Sequence, residues 1–398
     1  MEYMTVREAA EKWNISERQV QKYCAQGRID GIIKLGVSWG IPDDAQKPVD
    51  PRRAEMSPVR PLKAGGKRYP GLMPLMNTPF EPGQCEEIIK AMGEGPEKDI
   101  ATAEYHYFSG RAAEAVRETE IYLTSQNMYI RLSACLIYAY ANLSIGEIQR
   151  ARYALAEVKR MLGSGENVSP EMRAAESFIN AAAAVLLHLP LPEELPPCKE
   201  FLPELPSGLR AFALYVQAHY LYLRKEYDKS LGVVEATFAM GAQNYPIPAI
   251  YLHLVAVMDY MNLRKKEEAE KHMLAAWELA RPDDLIEGLG EHHGLLGGML
   301  EAVIKPGWPE DFKRIIDITY RFSAGWRRVH NPDTGHDVAD NLTTTEFTVA
   351  MLAARGWTNQ DIGRHMSISQ HTVKSHISTA MQKLGINSRK DLEKHMLR

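Results

Sequence analysis

The chain has 398 residues, 45% of them apolar and 25% charged, with a formal net charge of −4, which is ordinary for a folded globular protein of about two to four domains. No uninterrupted apolar run approaches the roughly 18 residues that a membrane span needs. The four cysteines (Cys24, Cys85, Cys135, Cys198) share no short spacing, which argues against a metal knuckle or a disulfide frame and for reduced thiols.

Met1 to Glu8 is acidic and amphipathic, so no signal peptide is expected and the location implied is cytoplasmic. The charge is unevenly spread. Residues 1–68 hold 13 Lys+Arg against 9 Asp+Glu, residues 340–398 hold 8 against 5, and residues 69–339 hold 26 against 37. Two basic ends around an acidic middle fit nucleic-acid contacts at the termini and a body that a polyanion repels.

Thr5-Val6-Arg7-Glu8 is a capping box that opens a helix through Trp13. Asn14-Ile15 turns, and Ser16 caps a second helix, Glu17–Ala25, with Val20, Tyr23 and Cys24 facing inward and Gly27 as its stop. Ile32 to Leu35 and Trp39 to Pro42 read as two short strands around a tight hairpin at Gly36-Val37-Ser38. These residues, with Gly27-Arg28, Lys34 and Trp39-Gly40-Ile41-Pro42, resemble the excisionase/MerR-like winged helix-turn-helix domain, here residues 1–46. The resemblance implies groove contact from Arg18, Gln19, Gln21 and Lys22, with Lys34 on the wing. Val37, Ser38 and Gly40 stand where the wing is often basic, which leaves docking to a protein as the competing role.

Residues 47–96 are rich in proline and glycine and read as a linker, basic in its first half and apolar enough over Tyr69–Phe80 to lie along the body. Residues 97–328 are helical throughout and repeat weakly. Gly110 to Ala115, Gly146 to Ala151, Lys225 to Ser230 and Arg264 to Ala269 each place a small residue five positions after a turn. The small residues stand 36, 79 and 39 apart, and helix pairs at this period resemble tetratricopeptide repeats, an α-solenoid. In the unit at 172–208, six prolines follow a clear first helix and spoil its second. Two further helices are predicted at about 285–304 and 309–328. The tyrosines Tyr105, Tyr107, Tyr138, Tyr140, Tyr215, Tyr220, Tyr222, Tyr251 and Tyr260 either line a concave groove or, the commoner use of aromatics at helical spacing, pack between helices.

After a short linker (329–339), residues 340–398 carry the sharpest pattern. Thr344–Arg355 is a helix closed by Gly356. Thr358 caps Asn359–Met366, Ser367-Ile368-Ser369 turns, and Ser369 caps a longer helix that Gly385 ends. Val373, Ile377, Ala380, Met381 and Leu384 form an apolar stripe, and Lys374, Ser375 and Ser378 fall off it. Ser388–Leu397 supplies a fourth helix. Two helices joined by a tight turn, with small polar and basic residues on the second, form a helix-turn-helix reader of DNA.

Leu342-Thr343, Glu346, Val349, Leu352, Gly356, Asn359, Ile362, Ile368-Ser369, Thr372-Val373-Lys374, His376, Lys383-Leu384-Gly385 and Arg389 resemble the LuxR-type DNA-binding domain. Thr345, Gly363 and Met366 depart from the family's usual Arg, Ala and Leu. The resemblance implies base-edge contact from Lys374, Ser375 and Ser378. It also implies phosphate contact from Asn359, Ser369, Thr372, His376 and Lys383, with Gln370 in the first turn beside them. It further implies double-stranded DNA as partner and a homodimer on paired half-sites, supported by Leu392 and Met396 together with the repeat body.

No Gly-x-x-x-x-Gly-Lys-Ser/Thr phosphate loop and no acidic receiver-like segment precede this domain, so neither nucleotide hydrolysis nor aspartyl phosphorylation is expected. His330, Asp333, His336 and Asp337 are loosely spaced and read as a solvated linker, and Glu291-His292-His293 places neighbours on different helix faces. No enzyme, cofactor or metal is expected. The sequence points to a transcriptional regulator controlled by a small molecule, peptide or protein at the repeat body, nucleoid-associated when bound to DNA. The rival readings are a protein-binding repeat scaffold and a DNA-bridging protein that uses both ends.

Overall fold

A computed structural model describes residues 3–13, 16–25, 29, 31–35, 38–43, 45, 72–162, 170–186, 195–330 and 342–396. The turn at Asn14-Ile15, Gly27-Arg28, the hairpin tip Gly36-Val37, the basic half of the linker and the residues from 331 to 341 fall outside that set, as do the side chains of Gln19 and His330. The chain divides into two units, Met1–Gly66 and Lys67–Arg398.

The first unit pairs α1 (Val6–Trp13) with α2 (Glu17–Ala25) over a three-stranded sheet. The capping box closes both ways: the Glu8 amide donates to Thr5 Oγ1 (3.3 Å), and the Thr5 amide donates to Glu8 Oε2 (2.7 Å). β2 (Ile33–Leu35) and β3 (Ser38–Pro42) pair antiparallel, Lys34 opposite Trp39 and Leu35 opposite Ser38, a register that leaves two residues for the turn. A third strand, β1 (Tyr3–Met4), pairs with the other edge of β3, so the sheet order is β1-β3-β2. Two residues are too few to show alternation, and the sequence therefore gave no sign of β1. Met4, Ala9, Ala10, Trp13, Val20, Tyr23, Cys24, Ile29 and Ile41 form this unit's core.

In the second unit, the segment read as linker is structural from Leu72 onward. Leu72, Leu75, Met76 and Phe80 are buried, and α3 (Cys85–Ala91) follows with Cys85 at its buried start. The strap is fastened by Glu104, which is fully buried and accepts from the amides of Leu75 (2.9 Å) and Met76 (3.0 Å). Burial outweighs those two bonds and pushes the Glu104 carboxyl up to about 8.

The body stacks helix hairpins. They are α4 (Pro96–Phe108) with α5 (Ala112–Glu120), α6 (Met128–Ser144) with α7 (Ile148–Leu162), α10 (Ser207–Leu223) with α11 (Tyr227–Ala239) and α12 (Pro246–Asn262) with α13 (Lys266–Ala280). Between the second and third pairs lie α8 (Pro170–Leu186) and, among the described residues of the proline-rich stretch, the short α9 (Cys198–Phe201) and one 3-10 turn.

The four hairpin turns are built alike. Gly110, Gly146, Lys225 and Arg264 all take left-handed φ values of 77°, 82°, 61° and 59°. The next amide in each donates five residues back, Arg111 to His106 O (2.8 Å), Glu147 to Asn142 O (2.8 Å), Glu226 to Leu221 O (2.9 Å) and Lys265 to Tyr260 O (2.9 Å). That is a Schellman closure, which satisfies carbonyls that the helix end would otherwise leave open. The small residues that follow, Ala115, Ala151, Ser230 and Ala269, are fully buried, and Ser230 donates to Ala218 O (2.9 Å) on the partner helix. Of the nine tyrosines weighed above, six are buried and three half-buried, so they pack between helices and none stands exposed.

The expected helix at 285–304 is broken. α14 (Glu287–Glu291) stops early, Gly297 and Gly298 turn with φ of 61° and 80°, and the chain resumes as a π-helical turn over Leu300–Ile304 and a short α15 (Lys305–Gly307). Consecutive left-handed residues cannot continue a right-handed helix. α16 (Pro309–His330) then packs on α14 and α6. The last four helices are α17 (Thr344–Ala354), α18 (Asn359–Met366), α19 (Gln370–Lys383) and α20 (Leu392–Met396). Among the described residues no helix is long and apolar enough to cross a membrane.

Candidate DNA interface

Caps set the geometry of the C-terminal unit. Thr343 Oγ1 accepts from the Glu346 amide (3.3 Å) while Glu346 Oε2 accepts from the Thr343 amide (2.8 Å), a complete capping box on α17. Thr358 Oγ1 accepts from the Asp361 amide (3.1 Å) on α18, and Ser369 Oγ accepts from the Thr372 amide (3.0 Å) on α19. Ser367, with φ of 56°, makes the turn between α18 and α19, and the Ile368 amide closes it on Gly363 O (3.0 Å).

Gly363 is required by that closure. A side-chain carbon there would sit 2.8 Å from Ile368 O, too close for an unshifted backbone. The departure from the family's alanine thus has a local cause.

α19 divides cleanly by side. Val373, Ile377, Ala380 and Leu384 are buried against α17 and α18, while Gln370, His371, Lys374, Ser375 and Ser378 are exposed. Thr372 and His376 lie half-buried at the edge of that face. Four of the residues assigned to phosphate are already engaged, Ser369 and Thr372 with each other through their hydroxyls at 2.8 Å, and Lys383 and Asn359 with partners distant in sequence. Lys383 Nζ donates to Glu346 Oε2 at 2.7 Å, and Asn359 Oδ1 accepts from Arg389 Nη1 at 2.5 Å. Burial raises Glu346, but the bonds from Lys383 and Thr343 outweigh it and hold the carboxyl below the ordinary glutamate value. Sequence periodicity could not reveal these two clamps, because their partners lie 37 and 30 residues away.

Leu392 and Met396 are buried, 0% and 6% exposed, with α20 packed on α17. They belong to the unit's own core, so a dimer face built on them is ruled out.

In the N-terminal unit, Arg18, Gln21 and Lys22 are exposed on α2 opposite the buried Val20, Tyr23 and Cys24. Lys34 is exposed too, its ammonium 5.4 Å from the centroid of the Trp39 ring.

A capped helix with a locked apolar side, a polar and basic outer face, and a tight turn to a supporting helix defines a helix-turn-helix DNA-binding domain. Residues 340–396 match the profile of the family described as "Bacterial regulatory proteins, luxR family". Over 54 residues the chain is 39% identical to the probable transcriptional regulatory protein SgaR of Hyphomicrobium methylovorum, which is 14% of this chain and 26% of that protein. Over 57 residues it is 40% identical to the spore germination protein GerE of Bacillus subtilis (strain 168), again 14% of this chain but 77% of that protein. Through this C-terminal domain the chain belongs to the luxR family of bacterial regulatory proteins. No solved structure matches it.

Proposed function

We propose that the protein is a transcriptional regulator, without enzymatic activity, that reads duplex DNA by laying α19 in the major groove. Lys374, Ser375 and Ser378 contact base edges in this reading, since a lysine ammonium can donate to guanine O6 and N7. Asn359, Ser369, Gln370, Thr372, His376 and Lys383 take phosphates at the rim, aided by the open amides at the helix start. The observation that carries this is the exposure of Lys374, Ser375 and Ser378 on a helix whose other side is locked in the core. Lys374→Ala tests it: in a salt-titrated shift assay, specific affinity should fall more than non-specific affinity. An equal fall would leave Lys374 a phosphate contact only.

A homodimer on paired half-sites and an effector (small molecule, peptide or protein) held by the tetratricopeptide-like body complete the proposal. A monomer by light scattering at micromolar concentration, with and without DNA, would remove the dimer. The exposed face of α2, with Arg18, Gln21, Lys22 and the wing residue Lys34, favours a winged-helix module as a second DNA contact. Deleting residues 1–45 should then cost multi-site occupancy and spare single-site binding.

A further inference from the structure

The break in the 285–304 segment has occupants. A side-chain carbon at Gly294 would lie 2.5 Å from Phe347 Cε1, and one at Gly297 would lie 2.7 Å from Arg355 Nη1. One at Gly298 would lie 2.8 Å from Met366 Sδ and 3.0 Å from Thr348 Cγ2. Three glycines of the body therefore stand where side chains of the DNA-binding domain approach most closely.

Hydrogen bonds line the same contact. A carbonyl can only accept, so His365 Nε2 donates to Gly297 O (2.9 Å). Arg355 Nη2 donates to Leu295 O (3.0 Å) and reaches the Tyr222 hydroxyl (3.3 Å). Thr348 Oγ1 donates to Glu301 Oε1 (3.3 Å), the oxygen that His293 Nε2 also holds at 2.9 Å. From the fourth hairpin turn, Arg264 Nη2 donates to the carbonyls of Arg355 (3.1 Å) and Gly356 (3.0 Å) just past the end of α17. A helix end leaves such carbonyls open and favours a cation beside them.

All of the domain's residues in this contact lie on α17, on α18 or in the turn between them. None lies on the exposed face of α19.

We propose that Arg264 and residues 293–301 form a seat by which the repeat body presents the DNA-binding domain, gripping its supporting helices and turning the recognition helix outward. Seated, the domain is ready for DNA, and regulation acts by loosening the grip, not by uncovering a masked face. This role rests on the DNA-reading function proposed for α19.

The test uses the full chain and a duplex selected by the wild-type protein from a random pool. Gly298→Val drives a side chain into Met366 and Thr348. It should raise hydroxyl-radical labelling of Phe347 and Met366 by about five-fold, and leave affinity for one half-site within about two-fold. Arg264→Gln keeps the glycines and guards against simple misfolding; it should raise the same labelling while the chain still melts in a cooperative transition, its midpoint lowered only slightly by the loss of two bonds. Unchanged labelling in both variants overturns the seat. Increased labelling with a gain of about ten-fold in affinity overturns presentation and shows masking instead. If the wild type selects no duplex, the DNA reading of α19 fails while the labelling still decides whether the seat exists.

Discussion

The DNA-binding domain and the repeat body handle charge in opposite ways. The domain keeps Lys374 in water and pins its engaged groups to visible partners, as with Lys383 and Glu346. The body closes over its carboxylates: Glu104, Asp259 and Glu287 are fully buried, and Glu291 accepts from the hydroxyls of Tyr107 (2.5 Å) and Tyr251 (3.0 Å). Burial pushes Glu287 and Glu291 upward, and the charge of Glu291 pushes Glu287 further. One region displays charge for a partner outside the chain, and the other holds polar groups for its own packing, so substitutions in the two should fail in different ways.

The largest effect expected is at a buried apolar side chain of the reader. Ile362, fully buried under α19, should cost about 2–5 kcal/mol on truncation to alanine. Calorimetry should show the domain's transition collapse, and DNA binding should go with it. Lys374→Ala is the counterpart, with about 1–3 kcal/mol of specific binding lost and the same transition untouched. If both variants lost stability, the division of α19 into a locked and a free side would be wrong.

Asp259 sharpens the body's half of the comparison. Burial is the largest influence on its carboxyl and pushes the group up to about 8, against the nearby Ser230 hydroxyl, which lowers it. A folded value raised above the unfolded one gives stability that is complete below about 4 and drains away as pH rises to about 8. The wild-type melting midpoint should therefore carry a downward contribution between pH 5 and 8 that Asp259→Asn lacks. Parallel profiles for the two proteins would show that Asp259 ionises freely in the fold.

The smallest effects separate two turns of one shape. Lys225→Gly relieves a left-handed lysine and should stabilise by up to about 1 kcal/mol. Arg264→Gly relieves the same strain but loses two bonds to the DNA-binding domain, so its midpoint should lie below that of Lys225→Gly.

Much of this was legible in the chain itself. Thr358 and Ser369 announce their caps because a capping side chain and its amide are neighbours in sequence, and the stripe from Val373 to Leu384 marks the locked side of α19 for the same reason. Gly110 and Gly146 marked their turns; Lys225 and Arg264, which do the same work, were found only by alignment with them. What stayed hidden depends on partners distant in sequence. The apolar residues of Tyr69–Phe80 point to a segment lying along the body, but not to what fastens it, because Glu104 lies 28 residues beyond Met76. The break at Gly297–Gly298 was signalled, since a Gly-Gly pair is itself a turn marker, but the apolar residues on either side favour a helix. A side chain there is opposed by the left-handed φ of 80° and by the approach of Met366 and Thr348, which lie 68 and 50 residues from Gly298.

The clamp between Lys383 and Glu346 bears on how salt will act on DNA binding. A lysine that leaves a carboxylate for a phosphate frees a cation from the duplex, yet uncovers an anion that recruits one back. Such an exchange is nearly neutral in ions. Lys383 should add less to the slope of log affinity against log salt than its exposed neighbour Lys374, even where both lie within reach of the same strand.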